Sequence, residues 1–369
     1  MDTAGSGKMQ AFSSRASKRV GPALVLLGLT LILLWFGLKV WRLQRAVRDA
    51  GRQWAVLQQA RQRPPQEMLR GIGQWGGRIS TAAADLATLR AELRILDPLL
   101  TRLGWVPHYG PEIAALPHLS AMAADLAGAG ADLTAALSRT VTVLESEDTG
   151  KILRVAEVLQ EQLPLLSRAH ARLQHAAYER TFLDPYRWDD SPLADLKPLL
   201  EELDRTLPGA TRRLGWLVAF LPHADTVLGK NGARRYLLVG QNNYELRATG
   251  GFMGSMGTLL LENGEIRALD YRRSYDWDNP HREKIQPPLP YVRYMRFGAW
   301  FIRDANFAPD FPTTARTLQM FWEKDGHEPV DGVIAVDLTA VQMLLEALGP
   351  VEVPGYGTRV GGSRALETI

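Results

Sequence analysis

Arginine, aspartate and amide side chains fall into three close groups in the C-terminal part of this 369-residue chain. The first is Asn242, Asn243, Glu245 and Arg247, the second is Arg272, Arg273, Asp276 and Asp278, and the third is Arg303, Asp304, Asn306 and Asp310. Guanidinium forks bind phosphate oxygens in pairs, and carboxylates hold Mg²⁺. The combination therefore suits a phosphorylated or pyrophosphate ligand with a divalent cation. The competing reading is a set of Arg–Asp surface pairs with no ligand between them.

These groups stand at the ends of segments with strand character. Tyr236 to Val239 is apolar and runs into the first polar group, which is followed by Gly250, Gly251, Gly254 and Gly257. Glycine admits positive φ and close approach of another group, so this stretch predicts a bend beside a pocket. A bulged hairpin whose amides satisfy their own turn is the alternative. Thr258 to Glu262, then Asn263-Gly264, then Ile266 to Tyr271 predicts a tight β-hairpin. An amphipathic helix is expected over Thr313 to Lys324 and a buried strand over Val330 to Val336. Asp337 is expected to cap a helix through Val341, Leu344, Leu345 and Leu348 that ends at Gly349-Pro350, ahead of a strand Val351 to Val353. Strands alternating with helices define an α/β domain, and loops at strand ends are where such sheets place ligands. The domain, 229–369, is expected to continue beyond Ile369.

Residues 43–228 are rich in Ala, Leu, Gln, Arg and Glu, a helical composition. Leu86, Leu89, Leu93, Leu96, Leu100 and Leu103 alternate spacings of three and four, as one helix stripe does. Ile152, Val155, Leu159, Leu166 and Leu173 repeat the pattern, which predicts a bundle or stalk of antiparallel helices. Ahead of it, residues 20–38 carry no charge, and at helical rise they cover about 28 Å, close to the hydrocarbon core of a bilayer. Lys39, Arg42 and Arg45 follow the run where a cleaved leader would show small residues. The expectation is an uncleaved transmembrane helix over 20–41, with a cytoplasmic tail over 1–19 and the bulk of the chain outside the cell membrane.

Composition removes several function classes. The chain has no cysteine, so disulfide scaffolds, thiolate metal sites and cysteine nucleophiles are absent. Its 43 basic and 40 acidic residues nearly cancel, and no clustered basic face or nucleic-acid motif is present, so no nucleic-acid partner is expected. Gly71-Ile-Gly-Gln-Trp-Gly76 has dinucleotide-fingerprint spacing but follows a helical segment instead of a strand. Met253 to Gly257 lacks the first glycine of a nucleophile elbow.

Arg235 to Phe252, Ile302 to Pro312 and Val330 to Asp337 closely resemble bacterial single-span envelope proteins catalogued as a domain of unknown function; the likeness covers about residues 220–360. More distantly, the order of elements resembles the LytR-CpsA-Psr phosphotransferase domain, which moves glycopolymers from a polyprenyl-pyrophosphate carrier onto peptidoglycan. The segments that carry this likeness are the strand at Tyr236, the hairpin to Leu269-Asp-Tyr-Arg-Arg273, Arg303-Asp-Ala-Asn306, and Val336 to Val353. The resemblance implies a pyrophosphate-binding role for Arg273 and a basic-site role for Arg303. Ser274 stands where those enzymes continue with aspartate, and glycines with Phe252 replace their metal-binding aspartate region.

On this resemblance the fold class is a transmembrane helix, an all-helical bundle or stalk, and a LytR-CpsA-Psr-like α/β head. Arg247, Arg272, Arg273, Arg303 and Asn243 would bind phosphate. Asp304 and Asp310 would be catalytic, with Asp276 as ligand to Mg²⁺. The partners implied are the membrane, a polyprenyl-pyrophosphate-linked glycan or peptidoglycan, and a protein held through the stalk. A non-catalytic module for a glycan, lipid carrier or protein is the other reading.

Overall fold

The computed structural model describes residues 34, 35, 37, 38, 41, 45, 65–144, 150–184, 193–279, 284–353 and 358–361. The anchor expected over 20–41, the tail before it and the stalk residues up to 64 lie almost wholly outside the described residues. Among the described residues no helix is long and apolar enough to cross a membrane. The described parts of residues 1–139 and 162–218 form one compact unit, and those of 140–161 and 219–369 form a second.

The first unit is built from α1 (Pro65–Leu93), α2 (Gly110–Leu144), α4 (Leu163–Arg180) and α5 (Lys197–Phe220). Neighbours in this series run antiparallel. The absent Cβ of Gly76 faces Thr134, whereas Leu86, Leu89 and Leu93 pack on Ala123, Ala124 and Ala127. Asp132 of α2 meets Arg168 of α4 at 2.7 Å, and His118, nearly four turns before Asp132, meets Glu179 at 2.7 Å. Arg180 in turn bonds Asp204 of α5 at 2.7 Å. The stripe of α1 ends at Leu93, and Leu96 to Leu103 belong to a succession of single turns. The buried line of α2 is Ala115, Met122, Ala129 and Ala136, spaced by seven, and Ala169 and Ala176 of α4 are fully buried. Small side chains let the helix backbones approach closely. Gly71 and Gly76 are helical residues of α1, which excludes the nucleotide-loop geometry.

The second unit contains a four-stranded sheet of order β3-β2-β1-β4. Strand β1 (Arg234–Asn242) pairs antiparallel with β2 (Phe252–Glu262) and parallel with β4 (Gly332–Asp337); β2 pairs antiparallel with β3 (Glu265–Arg273). Asn263 and Gly264, with φ of 52° and 73°, make the two-residue turn, both in the left-handed region that twisted hairpins prefer. Helix α6 (Phe311–Lys324) buries Leu318, Phe321 and Trp322 against Leu237, Val239, Met253 and Met256 of the sheet. Asp337 caps α7 (Leu338–Leu348), its Oδ1 accepting from Ala340 N at 2.7 Å, and β5 (Val351–Val353) and β6 (Thr358–Val360) form a separate hairpin.

The boundary at 228/229 moves. Helix α3 (Lys151–Glu161) and the turns after Ala219 belong to the sheet unit, not to the other helices. The buried face of α3 is Leu153, Ala156 and Leu159, and Ile152 of the expected stripe is exposed. Gln160 Nε2 donates to Leu221 O, Lys230 Nζ lies 2.9 Å from Glu157, and a Cβ on Gly264 would lie 2.9 Å from Leu153 Cβ.

Candidate functional site

The C-terminal ends of β1 and β3 and the start of β2 share one edge of the sheet, as the pairing of Asn242 with Phe252 and of Ser255 with Arg273 requires. The loop joining β1 to β2 is pinned there. Gln241 continues the inward alternation of Leu237 and Val239, and its Nε2 donates to Thr249 O at 2.9 Å. Asn306, fully buried, donates to Thr249 O at 3.0 Å and to Gly251 O at 2.8 Å. Gly251 has φ of 125°, and a Cβ there would lie 2.0 Å from Asn242 O. Amides and glycines thus satisfy the turn itself, as in the bulged-hairpin alternative, while the same turn presents Glu245 and Arg247 to solvent-accessible space.

That space is a cleft of about 440 Å³. Arg247 enters from the β1–β2 loop, Arg303 and Asp304 from a single turn at Ile302–Asp304, and Arg296 from the end of a short turn at Tyr291–Met295. Phe252, Tyr275, Phe297 and Phe301 form its walls. The Arg247 side chain is only 16 % exposed; its Nη2 lies 3.0 Å from Glu245, and its Cζ lies 5.1 Å from the Phe252 ring centre. Its Nε is buried and has no acceptor among the described residues. Arg303, 19 % exposed, is held by Asp278 and lies between Phe301 and Tyr275, with Cζ 4.1 and 4.5 Å from their ring centres.

Asp304 is buried between these arginines, 3.8 Å from Arg303 Nε. Burial raises its carboxyl above the ordinary value of 3.8, opposed by the charges of Arg303 and Arg247 and reinforced by Asp278 and Glu245. Burial also raises the phenol of Tyr291, with Asp304 adding and Arg247 subtracting.

Of the residues singled out from sequence, Arg247, Arg303 and Asp304 share this cleft. Arg273 does not line it: its side chain is 80 % exposed and bonds Asp276 at 3.0 Å, which also commits the expected metal ligand. Arg272, opposite buried Met256, stands on the core face of β3, bonded to Asp270 at 2.8 Å and lying 4.4 Å from the Trp277 ring centre. Asn243 donates to Thr339 Oγ1 at 2.9 Å. Asp310 is the N-cap of α6, accepting from Thr313 N at 3.0 Å, and those bonds to Thr313 hold its carboxyl below the usual range. Among the described residues no group of three or more histidines and carboxylates is placed to hold a metal ion. Sequence reasoning missed Tyr275, Arg296, Phe297 and Phe301; the aromatic run Phe297-Gly-Ala-Trp-Phe301 was the available signal.

Fold and site together define a sheet domain with an arginine-bearing, aromatic-walled cleft, in a chain that also carries a helical unit. Residues 231–369 match the family described as "Protein of unknown function (DUF4012)". No curated protein and no solved structure matches the chain.

Proposed function

We propose that the cleft binds a phosphorylated, lipid-linked glycan precursor at the outer face of the cell membrane. One observation carries the reading: Arg247 and Arg303 meet in one aromatic-walled cleft, where a buried Arg247 N–H has no acceptor among the described residues. Guanidinium groups supply paired donors to phosphate oxygens, and aromatic faces suit a sugar ring or an isoprenoid chain. The resemblance to LytR-CpsA-Psr domains supports the choice of carrier, and the anchor expected over 20–41 would keep the cleft near a bilayer. The helical unit is proposed to hold a protein partner.

The reaction proposed is phosphoryl transfer. A sugar hydroxyl of the acceptor attacks the phosphorus that bears the glycan, the P–O bond to the second phosphate breaks, and the carrier leaves as its monophosphate. Arg247 and Arg303 stabilise the charge on the phosphoryl oxygens, and Asp304 takes the hydroxyl proton. A carboxylate whose pKa is raised by burial is a stronger base than an exposed one. Among the described residues the carboxylates do not gather into a metal site by themselves. A receptor without transfer is the second reading. It is favoured by the engagement of Asp276 with Arg273 and of Asp310 with the α6 cap.

Binding of a polyprenyl-pyrophosphate-linked disaccharide to the full chain, followed by release of polyprenyl monophosphate on addition of peptidoglycan, separates the two. Binding with release supports the transferase, and binding without release supports the receptor. Binding that survives both Arg247→Ala and Arg303→Ala overturns both.

A further inference from the structure

The lip of the cleft carries a second kind of chemistry. Between Lys284 and Arg303 the chain has four basic residues, Lys284, Arg293, Arg296 and Arg303, and no acidic one. Interleaved with them are large apolar side chains that the fold turns outward. Leu289 is 74 % exposed and Tyr294 is 75 % exposed, with Val292 and Met295 also exposed. Across the cleft, Leu246 is 86 % exposed between the lining residues Glu245 and Arg247.

This exposure is held in place by the fold. Tyr291 is buried, with ring centres 5.1 Å from Phe297 and 5.0 Å from Phe307. Tyr291 N donates to Pro288 O, Phe297 N donates to Tyr291 O, and Trp300 N donates to Ile285 O. Pro287, Pro288 and Pro290 stiffen the approach. Anchored at both ends, the segment cannot fold its middle inward, so Leu289, Tyr294 and Met295 face water unless something covers them.

Charge says what covers them. Among the described residues neither Arg293 nor Arg296 has a carboxylate within ion-pair distance, whereas the exposed Ile266 and Leu269 of β3 sit among the compensated pairs Arg267–Glu262 and Arg272–Asp270. Apolar and tyrosyl tips interspersed with unmatched arginines match the interface of an anionic bilayer, with tails below and lipid phosphates above.

We propose that Leu289–Phe297, together with Leu246, seats on an anionic phospholipid surface. Leu246, Leu289, Tyr294 and Met295 enter the headgroup region, and Arg293 and Arg296 lie against lipid phosphates. The seat deepens the function proposed above and rests on it for its purpose: it sets the mouth of the cleft at the level where the phosphate of a membrane-borne carrier lies.

The absence of cysteine allows a direct test. Tyr294→Cys, Leu246→Cys and, as control, Ile266→Cys are each labelled with an environment-sensitive fluorophore in the full chain. The labelled chains are reconstituted into vesicles of phosphatidylcholine alone or mixed with phosphatidylglycerol, with spin-labelled lipid as quencher. The expected result is blue-shifted, quenched emission at 294 and 246 in the anionic vesicles and water-like emission at 266. Arg293→Glu in the Tyr294→Cys background lowers the seating equilibrium about fivefold or more, the contribution of one basic residue near an anionic surface. Emission at 294 that matches 266 in both vesicle types overturns the proposal and leaves the lip to a protein partner. Inorganic pyrophosphate binding is measured on the same samples. Its loss with the seat intact strikes the phosphate reading alone, and a lost seat with binding intact strikes this proposal alone.

Discussion

Replacing Arg303 by alanine removes a cation shared by buried Asp304 and partly buried Asp278, and empties the space between Phe301 and Tyr275. Removing one partner of a fully buried pair costs roughly 3–5 kcal/mol. Arg303 keeps some contact with water, so the ion-pair part is discounted to about 2 kcal/mol. Each cation–π contact adds about 0.5 kcal/mol at such a half-screened position. The sum, about 3 kcal/mol, corresponds to a fall in Tm of roughly 6–12 °C for a unit of this size. Urea unfolding followed by the fluorescence of Trp277, Trp300 and Trp322 reads the change. Adding Asp278→Asn should recover about 1 kcal/mol or more, because coupled neighbours are non-additive. The deficit should also depend on pH. The folded pKa of Asp304 is already raised by burial, and losing Arg303 removes the first of the forces that lower it. The native state of the variant therefore holds that proton more tightly. Stability from this group is present at acid pH and lost as pH rises through the folded pKa, so the deficit grows from pH 4 to pH 7. A midpoint within about 0.3 kcal/mol of the parent, or additive single and double variants, would refute this electrostatic account.

Gly251→Ala should cost about 2 kcal/mol or more, because the backbone is left-handed and the new Cβ would lie 2.0 Å from Asn242 O; a thermal melt checks it, and pyrophosphate affinity should fall with it. Asp304→Asn should raise Tm at pH 7 and lose that advantage below the ordinary aspartate pKa, with no product release if the carboxylate is the base; parallel melts at pH 4 and pH 7 with a transfer assay test both halves. Asp310→Asn keeps a capping oxygen on α6 and should leave pyrophosphate affinity unchanged in calorimetry, in contrast to a catalytic or metal-binding aspartate.

Local signals in the sequence carried much of the sheet domain. Asn263-Gly264 specifies its turn because both residues tolerate positive φ, and Asp337 specifies a helix start because its carboxylate reaches the third amide after it. The direction of an arginine on a strand is a different matter. Arg272 and Arg273 are neighbours in sequence and opposite in space, and only the pairing with Met256 and Ser255 says which faces the core. The aromatic walls around Arg303 come from residues 275 and 301, joined only by tertiary folding. In the helices, leucine spacing identified the stripe on α1 but not the alanine line of α2, since alanine is common on both buried and exposed helix faces. The continuity of pattern from Ile152 to Leu173 concealed a change of unit at Gln162, because periodicity reports a face and not the element that covers it.

The central claim is that Arg247 and Arg303 grip one anionic group while Arg273 does not take part. Isothermal titration of inorganic pyrophosphate into the full chain tests it directly. The account predicts one site per chain, with affinity reduced at least about tenfold in Arg247→Ala and in Arg303→Ala, as for loss of a charge-assisted hydrogen bond, and unchanged in Arg273→Ala. Equal loss in all three variants, or full affinity in Arg247→Ala and Arg303→Ala, would contradict it.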